Sequence, residues 1–358
     1  MSTLFQKIAE QLYAKLPFVS YCKPNSDKTI ALFQKNDELF LLEEGSAGFA
    51  FVSFDNEKKY LIPEKYSDVY VEKVNDLDCI FSNTKEYIID GTAKDNFENL
   101  VKKALQEIEK GSFEKVVLSR KELIDLDNFQ LELVFNSLVS NYPTAFKYCF
   151  YHPKVGFWMG ATPEQFVKIE NNKIKTVALA GTQLNTESQK VIWEEKELNE
   201  QQTVTDFIVN TLHTVSSAVT KSEPYSFQAG SVVHIKTDIE ATLSSQMDLP
   251  KIINLLHPTP AVCGFPKEIA KEFILKNEGY EREFYAGYLG EWNKDFLIYK
   301  EGVCDLFVNL RCMKLRMDSK SKVAQAQLFI GCGINIGSDP EKEFLETVNK
   351  SQTIKKIL

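Results

Sequence analysis

Residues 327–350 read QLFIGCGINIGSDPEKEFLETVNK, a strand pattern followed by a glycine-rich turn and an acidic helix start. Gly331, Gly333 and Gly337 stand between strand and helix, which is typical of a dinucleotide-binding turn. A Rossmann unit also needs another strand and an acidic ribose ligand about 20 residues later, and the sequence stops at residue 358. The stretch therefore favours another fold class. Its turn either offers N–H groups to an anion or is a plain tight turn.

The sequence before this stretch contains runs of adjacent strands broken by single helices. Short apolar runs between residues 29 and 71 are typical of a strand meander. Helical patterns follow at residues 94–111 and at residues 194–219, with strand series after each. This order predicts an α+β fold in a single large domain, not regular βαβ alternation. We expect residues 1–100 to be its most separable part and residues 101–358 to be the catalytic domain.

The composition is that of a globular protein without a nucleic-acid or membrane partner. Of 358 residues, 44% are hydrophobic and 26% are charged, and the net charge is −8 without a basic stripe. No apolar run approaches the roughly 18 residues of a membrane span, and no secretory signal pattern is visible. The seven cysteines include no C-x-x-C pair and the four histidines are scattered. We therefore expect reduced thiols, no zinc site and a cytoplasmic protein.

Two predicted helices each carry two glutamates three residues apart, which places each pair on one helix face. Glu197 and Glu200 share a face with the apolar residues of their helix, where carboxylates without partners are costly to bury. Either this end of the helix projects into water or the two carboxylates hold a cationic group. Glu343 and Glu346 face away from the apolar side of theirs, which favours a solvated surface. Both pairs are also interpretable as a site, because four carboxylates converging on a cleft would bind a hard cation such as Mg²⁺.

Three further side chains are candidates for chemistry, and each has an ordinary alternative. Lys115 lies in the strand pattern FEKVVLSRKE. A strand lysine is usually solvated at an edge, but a buried one would have a lowered pKa and could act as a base. Glu164 follows a Gly-Ala-Thr-Pro turn and by itself is a loop glutamate. Arg311 in NLRCMKLR would clamp a carboxylate or form an ordinary ion pair.

The order of the motifs is more specific than any one of them. From about residue 111 onward the chain contains, in this order, FEKVVLSR, GFWMGATPEQF, TVALAGT, KELNEQQ, LHPTPAVCGFP, REFYAGYLGEW, VNLRCMKLR and the stretch quoted first. This order resembles that of the chorismate-binding enzymes, and in particular of the isochorismate synthases. The resemblance covers about two-thirds of the chain, and the N-terminal third matches only loosely.

The resemblance implies a chorismate-utilising fold with two sheets flanked by helices and an active site in the cleft between them. It implies Mg²⁺ held chiefly by Glu200 and Glu346, with Glu197 and Glu343 close by or acting through water. In this family the metal grips the ring carboxylate of chorismate. The resemblance thus interprets the acidic residues of the two helices as a metal site and not as a solvated surface.

The resemblance also assigns catalytic and substrate-binding positions. Lys115 matches the base that activates water, and Glu164 matches the general acid that protonates the departing C4 hydroxyl. Arg311 and Tyr285 match positions that hold the enolpyruvyl carboxylate. The remaining positions that match residues lining the site are Gly181, Thr182, His234, Ala261, Gly331, Gly333 and Lys350.

The implied reaction is the reversible, redox-free conversion of chorismate to isochorismate by water addition at C2. Relatives that add ammonia usually lack the lysine, so Lys115 favours water and makes a glutamine amidotransferase partner unexpected. Salicylate synthases go on to eliminate pyruvate and tend to carry threonine at the position of Ala261, which here favours stopping at isochorismate. A salicylate synthase and a chorismate-binding protein without turnover remain the alternatives.

One position departs from the family pattern. Gln201 in KELNEQQ stands where a histidine usually follows the metal glutamate. Because a glutamine there need not ligate the metal, we expect tuned activity and not lost activity. The resemblance further suggests a monomer, and a role in menaquinone biosynthesis in preference to a siderophore pathway.

Overall fold

The computed structural model describes residues 3–73, 90–184, 191–229, 232–244, 249–317 and 323–358. Cys79 lies outside these ranges, and the six described cysteines are buried and unpaired. The helices are α1 (Thr3–Ala14), α2 (Gly91–Glu109), α3 (Leu131–Asn141), α4 (Glu195–His213), α5 (Leu249–Leu256), α6 (Lys267–Asn277) and α7 (Pro340–Lys355), with a 3₁₀ turn at Glu64–Tyr66. No helix in these ranges is long and apolar enough to span a bilayer.

Most strands of the described ranges come in runs of three or more, separated by single helices. In the first half they are β1 (Phe18–Cys22), β2 (Lys28–Gln34), β3 (Phe40–Leu41), β4 (Gly48–Val52), β5 (Lys59–Pro63), β6 (Ser67–Lys73), β7 (Lys115–Asp125), β8 (Phe146–His152), β9 (Gly156–Thr162), β10 (Gln165–Glu170) and β11 (Lys173–Leu184). In the second half they are β12 (Ser216–Lys221), β13 (Tyr225–Ala229), β14 (Val232–Leu243), β15 (Gly264–Phe265), β16 (Tyr288–Trp292), β17 (Lys294–Asp295), β18 (Lys300–Glu301), β19 (Val303–Val308), β20 (Cys312–Met317) and β21 (Val323–Asn335).

Two large sheets form the body of the fold. The first has the order β15-β7-β21-β20-β9-β8-β1-β2-β6, and the second has the order β12-β14-β11-β10-β19-β16-β4-β5-β3, with β13 also paired to β14. The pairings between described strands are antiparallel, and β17 and β18 form a separate small hairpin. The predicted α+β architecture of two sheets and flanking helices is confirmed.

The N-terminal strands belong to both sheets. β1 pairs with β8 in the first sheet, and β4 pairs with β16 in the second. Residues 3–73 therefore supply strands to the same two sheets as the rest of the chain. The predicted division at residue 100 stays a prediction about how separable these strands are.

Aromatic side chains fill the space between the sheets. The Phe51 ring stacks on Phe150 at 4.2 Å and on Phe284 at 4.3 Å between ring centroids, and Phe146 stacks on Phe307 at 4.4 Å. Such rings contribute the largest apolar areas to a core and prefer offset contacts. Because β1 and β4 are buried along their whole length, they read as continuous apolar runs rather than as alternating strands.

Two helices bring the acidic residues toward one end of the sheets. α4 packs on β11 and begins with a capping box between Glu194 and Glu197. It ends at His213, six residues before the predicted end, because residues 216–221 instead pair with β14. α7 packs on β21 and on α2. Its N-cap is Asp339, which accepts the Lys342 N–H at 2.9 Å, and Pro340 occupies the first turn.

Candidate active site

A cleft lies where α4 and the second sheet face α7 and β21. It has about 820 Å³ of empty space, counting the part that is open to solvent. Twelve of the positions singled out in the sequence line it: Glu164, Gly181, Thr182, Glu200, His234, Ala261, Tyr285, Arg311, Gly331, Gly333, Glu346 and Lys350. Residues up to 186 positions apart in the sequence, from Glu164 to Lys350, thus meet in one cavity. Among the fifteen predicted residues, Lys115, Glu197 and Glu343 lie outside this lining.

Lys115 lies directly behind the cleft wall. Its side chain is 3% exposed, and its Nζ lies 2.9 Å from Glu200 Oε1. This burial contradicts the alternative of a solvated edge lysine. Burial acts to raise the pKa of Glu200, but the charge of Lys115, with Lys350 and Lys196, outweighs it and leaves that pKa below its ordinary value. The Glu200 carboxylate is therefore ionised at neutral pH.

Two glycines of β21 keep the cleft open next to this ion pair. A Cβ on Gly333 would overlap the Glu200 carboxylate and approach Lys115 Cε to 3.2 Å. A Cβ on Gly331 would lie 2.7 Å from the Tyr285 hydroxyl oxygen. At Gly331 a Cβ would also lie 2.7 Å from the backbone oxygen of Leu118, which cannot move aside as a side chain can. At Gly333 the close contact is with the Glu200 side chain, so a larger residue there would displace that carboxylate. The glycine-rich stretch quoted first is thus a cleft wall and not a dinucleotide-binding turn.

Glu164 is the most perturbed acid that lines the cleft. It connects β9 to β10 and is 5% exposed. Burial raises its pKa to about 8, although the nearby charges of Lys115, Lys350 and Arg311 act in the opposite direction. A carboxyl group that stays protonated at neutral pH can donate a proton to a departing group. The resemblance gave Glu164 this role, and its environment fits the role.

Replacing Glu164 by glutamine should stabilise the fold increasingly as the pH rises. The pKa of Glu164 is about 8 in the folded protein, and its ordinary value is 4.5. Between these two pH values the carboxyl group ionises in the unfolded chain but stays protonated in the folded one, which lowers the free energy of unfolding. At pH 9 the gain is at most about 5 kcal/mol. Thermal unfolding at pH 5 and pH 9 would measure it. Glu281→Gln, at a side chain that is 81% exposed, is the control. An equal gain at both pH values would contradict the raised pKa.

Cationic side chains line the other side of the cleft. Arg311 makes two long contacts through Nη1, to Lys350 O at 3.4 Å and Thr353 Oγ1 at 3.3 Å. In the described part of the chain, no carboxylate lies within ion-pair distance of its guanidinium. Lys350 Nζ contacts Glu346 Oε1 at 2.6 Å and donates to Gly331 O at 3.1 Å. The free donors of Arg311 are suited to an anion that enters the cleft.

The second sheet contributes a polar wall. His234 Nδ1 lies 3.1 Å from both Thr182 Oγ1 and Gly181 O. Burial and the charges of Arg311 and Lys350 lower the pKa of His234 to about 3, so the ring is neutral. Its Nε2 is buried and has no hydrogen-bond partner among the described residues. An unpartnered ring nitrogen in a ligand-sized cleft indicates a hydrogen bond to substrate.

The two glutamates of α7 differ in environment. Glu346 lines the cleft, whereas Glu343 is 2% exposed and its Oε1 lies 2.6 Å from Lys196 Nζ. Glu343 was predicted to face away from the apolar side of this helix, but it turns inward, whereas Leu345 is 45% exposed. Phe344 packs toward α2. A solvated surface is therefore the wrong interpretation for Glu343. Lys196 was missed, since nothing in its sequence context sets it apart from a surface lysine.

The carboxylates fit a magnesium ion that takes few protein ligands. Glu200 and Glu346 both line the cleft, and the Glu200 carboxylate occupies the space beside Gly333. Mg²⁺ is usually held by one or two carboxylates with waters and substrate oxygens. In the described ranges no three acidic, histidine or cysteine side chains are gathered closely enough to hold a metal by themselves. Glu197 instead accepts the Glu194 N–H at 2.9 Å as a helix cap, and a role through water for Glu197 and Glu343 stays a prediction.

Gln201 points away from the cleft. It is 2% exposed, and its Nε2 donates to Thr237 Oγ1 at 2.8 Å and to Thr205 Oγ1 at 2.9 Å. The amide thus ties α4 to β14 beneath the site. This location fits the expectation that a glutamine at this position does not ligate the metal.

Comparisons with known proteins identify relatives of the whole arrangement. The model of the family described as chorismate binding enzyme matches residues 63–358. Isochorismate synthase EntC of Escherichia coli is 29% identical over 270 residues, which are 72% of this chain and 66%, or less than two thirds, of EntC.

Two solved structures share the fold. The structure of DhbC from Bacillus anthracis, described as a 2,3-dihydroxybenzoate-specific isochorismate synthase, has a TM-score of 0.79 at 21% identity and covers 98% of this chain and 99% of its own. The structure of MenF, the menaquinone-specific isochorismate synthase of Escherichia coli, has a TM-score of 0.77 at 20% identity, covering 96% of this chain and 88% of its own.

Proposed function

The chain belongs to the family of chorismate-binding enzymes, and from this premise we propose that it is an isochorismate synthase, an isomerase that converts chorismate to isochorismate. One observation carries the proposal. A buried carboxyl group held in its protonated form, Glu164, lines a cleft that has a buried lysine, Lys115, directly behind its wall. The same cleft contains the guanidinium of Arg311, which has no carboxylate partner among the described residues. The reaction needs a proton donor, a base for water and a holder for a dianion, and the cleft has a candidate for each.

Binding relies on the cationic wall. Chorismate carries two carboxylates, and the free N–H groups of Arg311 suit the one on the enolpyruvyl group. The Tyr285 hydroxyl adjoins the same space at Gly331, and the neutral His234 offers its unpartnered Nε2. Holding both ends of the substrate fixes C2 and C4 relative to the reactive side chains, which accounts for much of the rate of such reactions.

The chemical step divides between two side chains. Lys115 acts as the base in its neutral form, after its ammonium group has released a proton to solvent. The neutral amine accepts a proton from the water that attacks C2, and Glu164 donates a proton to the hydroxyl that leaves C4 as water. Both ring double bonds move as the C2–O bond forms and the C4–O bond breaks, from C1=C2 and C5=C6 to C6=C1 and C4=C5, so no oxidant or reductant is needed. The raised pKa of Glu164 keeps the donor protonated at neutral pH.

We also propose that the enzyme requires Mg²⁺. Glu200 and Glu346 would hold the ion, with Glu197 and Glu343 contributing through water. When bound, the ion neutralises and orients the ring carboxylate of chorismate. The donor set supports this, because both carboxylates line the cleft and each faces an ammonium group in its present contacts.

A product assay tests the proposed function. Purified protein would be incubated with chorismate, with and without Mg²⁺, and the products resolved by chromatography. We expect a mixture of chorismate and isochorismate only with Mg²⁺. Salicylate together with pyruvate would instead identify a salicylate synthase, against which Ala261 in the cleft lining argues. No turnover would leave a chorismate-binding protein.

The alkaline side of the pH profile should report Glu164. Since the protonated form is the donor and its pKa is about 8, kcat/KM for isochorismate formation should fall as the pH rises through about 8, by tenfold per unit beyond it. Initial rates between pH 6 and 10 would measure this. The residual activity of Glu164→Gln should lack that decline. A decline at the same pH in this variant would assign it to another group.

The proposal also covers the pathway, the location, the oligomeric state and the partners of the enzyme. We propose that isochorismate is made for menaquinone biosynthesis, that the enzyme is a cytoplasmic monomer, and that no amidotransferase subunit joins it. Relatives with menaquinone and 2,3-dihydroxybenzoate specificity both exist, so quinone analysis of a deletion strain is the deciding measurement. Sedimentation would establish the oligomeric state, and failure of glutamine or ammonia to yield an amino product would establish the nucleophile.

A further inference from the structure

The strand that carries Lys115 has one incompletely paired edge. β21 pairs with all of β7, from Lys115 to Asp125. On the opposite edge, β15 pairs only with Lys115 and Val116, and the Val117 N–H donates to Cys263 O at 2.8 Å. Beyond that point no strand within the described ranges continues the pairing. The buried backbone groups of this edge therefore need other partners.

Two side chains take the place of the missing strand. Arg282 Nη2 donates to Val117 O at 2.6 Å, and the Ser119 N–H donates to Glu278 Oε1 at 2.7 Å. A donor opposite a carbonyl and an acceptor opposite an N–H repeat the pattern that a neighbouring strand would present. The side chains of Glu278 and Arg282 are 1% and 2% exposed, and Arg282 Nε also donates to Glu278 Oε2 at 2.8 Å.

The same guanidinium reaches two other walls of the cleft. Arg282 Nη1 donates to Val262 O at 3.0 Å, next to Ala261. Its Cζ lies 5.8 Å from the centre of the Tyr285 ring. Val117, Val262 and Tyr285 all line the cleft, whereas Arg282 does not. One buried ion pair thus joins the lysine strand, the loop that bears Ala261 and the tyrosine that faces Gly331.

We propose that Arg282, held by Glu278, is a positioning residue that sets the Lys115 strand at its working distance from the opposite walls of the cleft. The inference rests on the proposed function, in which Lys115 is the base. Base, acid and substrate carboxylate sites lie on separate walls, so a shift of about 1 Å in one wall is enough to lower the rate up to about 100-fold.

The test compares Arg282→Met and Arg282→Lys with wild type, using steady-state kinetics with chorismate and amide hydrogen exchange. For Arg282→Met we expect kcat to fall about 10- to 100-fold with a much smaller change in KM, and the Ser119 amide to lose protection. Arg282→Lys should not restore kcat, because an ammonium group keeps the charge but cannot span Val117, Val262 and Glu278 as the planar fork does. If Arg282→Met fails to fold, Glu278→Gln replaces it, with an intermediate loss of kcat expected.

Lys23→Met is the matched control. Lys23 also belongs to a buried ion-pair network, with Glu291 and Asp295, and it does not line the cleft. It should lower the melting temperature and leave kcat unchanged. Unaltered kcat in Arg282→Met, or full recovery in Arg282→Lys, would overturn the positioning role. Failure of wild type to turn over chorismate would refute the proposed function instead, and Ser119 exchange would still decide whether Arg282 braces the strand.

Discussion

Lys115→Gln should abolish isochorismate formation while the protein stays folded. A positioned base contributes about 10²- to 10⁴-fold to such a rate, and glutamine cannot accept the proton from water. The substitution keeps most of the side-chain length and a donor that can reach Glu200, which lies 2.9 Å from the lysine nitrogen. The measurement is the initial rate of isochorismate release at saturating chorismate and Mg²⁺.

Two controls separate loss of the base from loss of the cleft. Chorismate binding by calorimetry should persist in Lys115→Gln, because Arg311, His234 and Lys350 remain. Lys196→Gln removes a different partly buried lysine, one paired with Glu343 at 2.6 Å, and should cost much less. Wild-type rates in Lys115→Gln would refute the assignment of Lys115 as the base and would favour a base elsewhere in the cleft.

Glu346→Gln should remove the response to Mg²⁺. A neutral amide is a poorer ligand for this ion than a carboxylate, and Glu346 lines the cleft. We expect activity at a fixed Mg²⁺ concentration to fall by at least about 10²-fold. We also expect the Mg²⁺-dependent rise in melting temperature to disappear, a readout that does not depend on turnover.

The same helix provides the control for this prediction. Glu341 is also in α7, but its side chain is 64% exposed and pairs with Lys94. Glu341→Gln should therefore keep both the activity and the thermal response to Mg²⁺. If Glu346→Gln retained full activity and the full thermal response, Glu346 would be an ordinary partner of Lys350 and not a metal ligand.

The order of the motifs in the sequence predicted more of the candidate site than the local patterns did. The order of the motifs indicated the family, and twelve positions taken from it line one cleft. Helical periodicity predicted the wrong environment for Glu343, because it assumes that a helix packs against a single apolar surface. α7 instead contacts β21 and α2 on different sides, and Lys196 from α4 neutralises the buried glutamate. Such a partner, 147 positions away, leaves no local signal.

The sheet order could not be predicted for the same reason. Alternation and apolar runs located most strands, but they do not say which strands become neighbours. The edge of β7 illustrates this limit. Glu278 and Arg282 are four residues apart, but α6 ends at Asn277, so helical periodicity does not apply to this pair. Nor does any local pattern indicate that the pair covers an unpaired strand edge 159 positions earlier.

Strands from the early and late parts of the chain are neighbours in the sheets, so native pairing of an early strand waits until the later strand has been synthesised. β4 is made early, but its partner β16 follows roughly 240 residues later. At about 5–20 residues per second on the ribosome, that interval lasts about 12–50 s. During it, apolar segments such as GFAFV at residues 48–52 have no native neighbour on the β16 side. This edge of β4 therefore stays without its native partner for much of translation, and the cleft is complete only once β21 and α7 have been made.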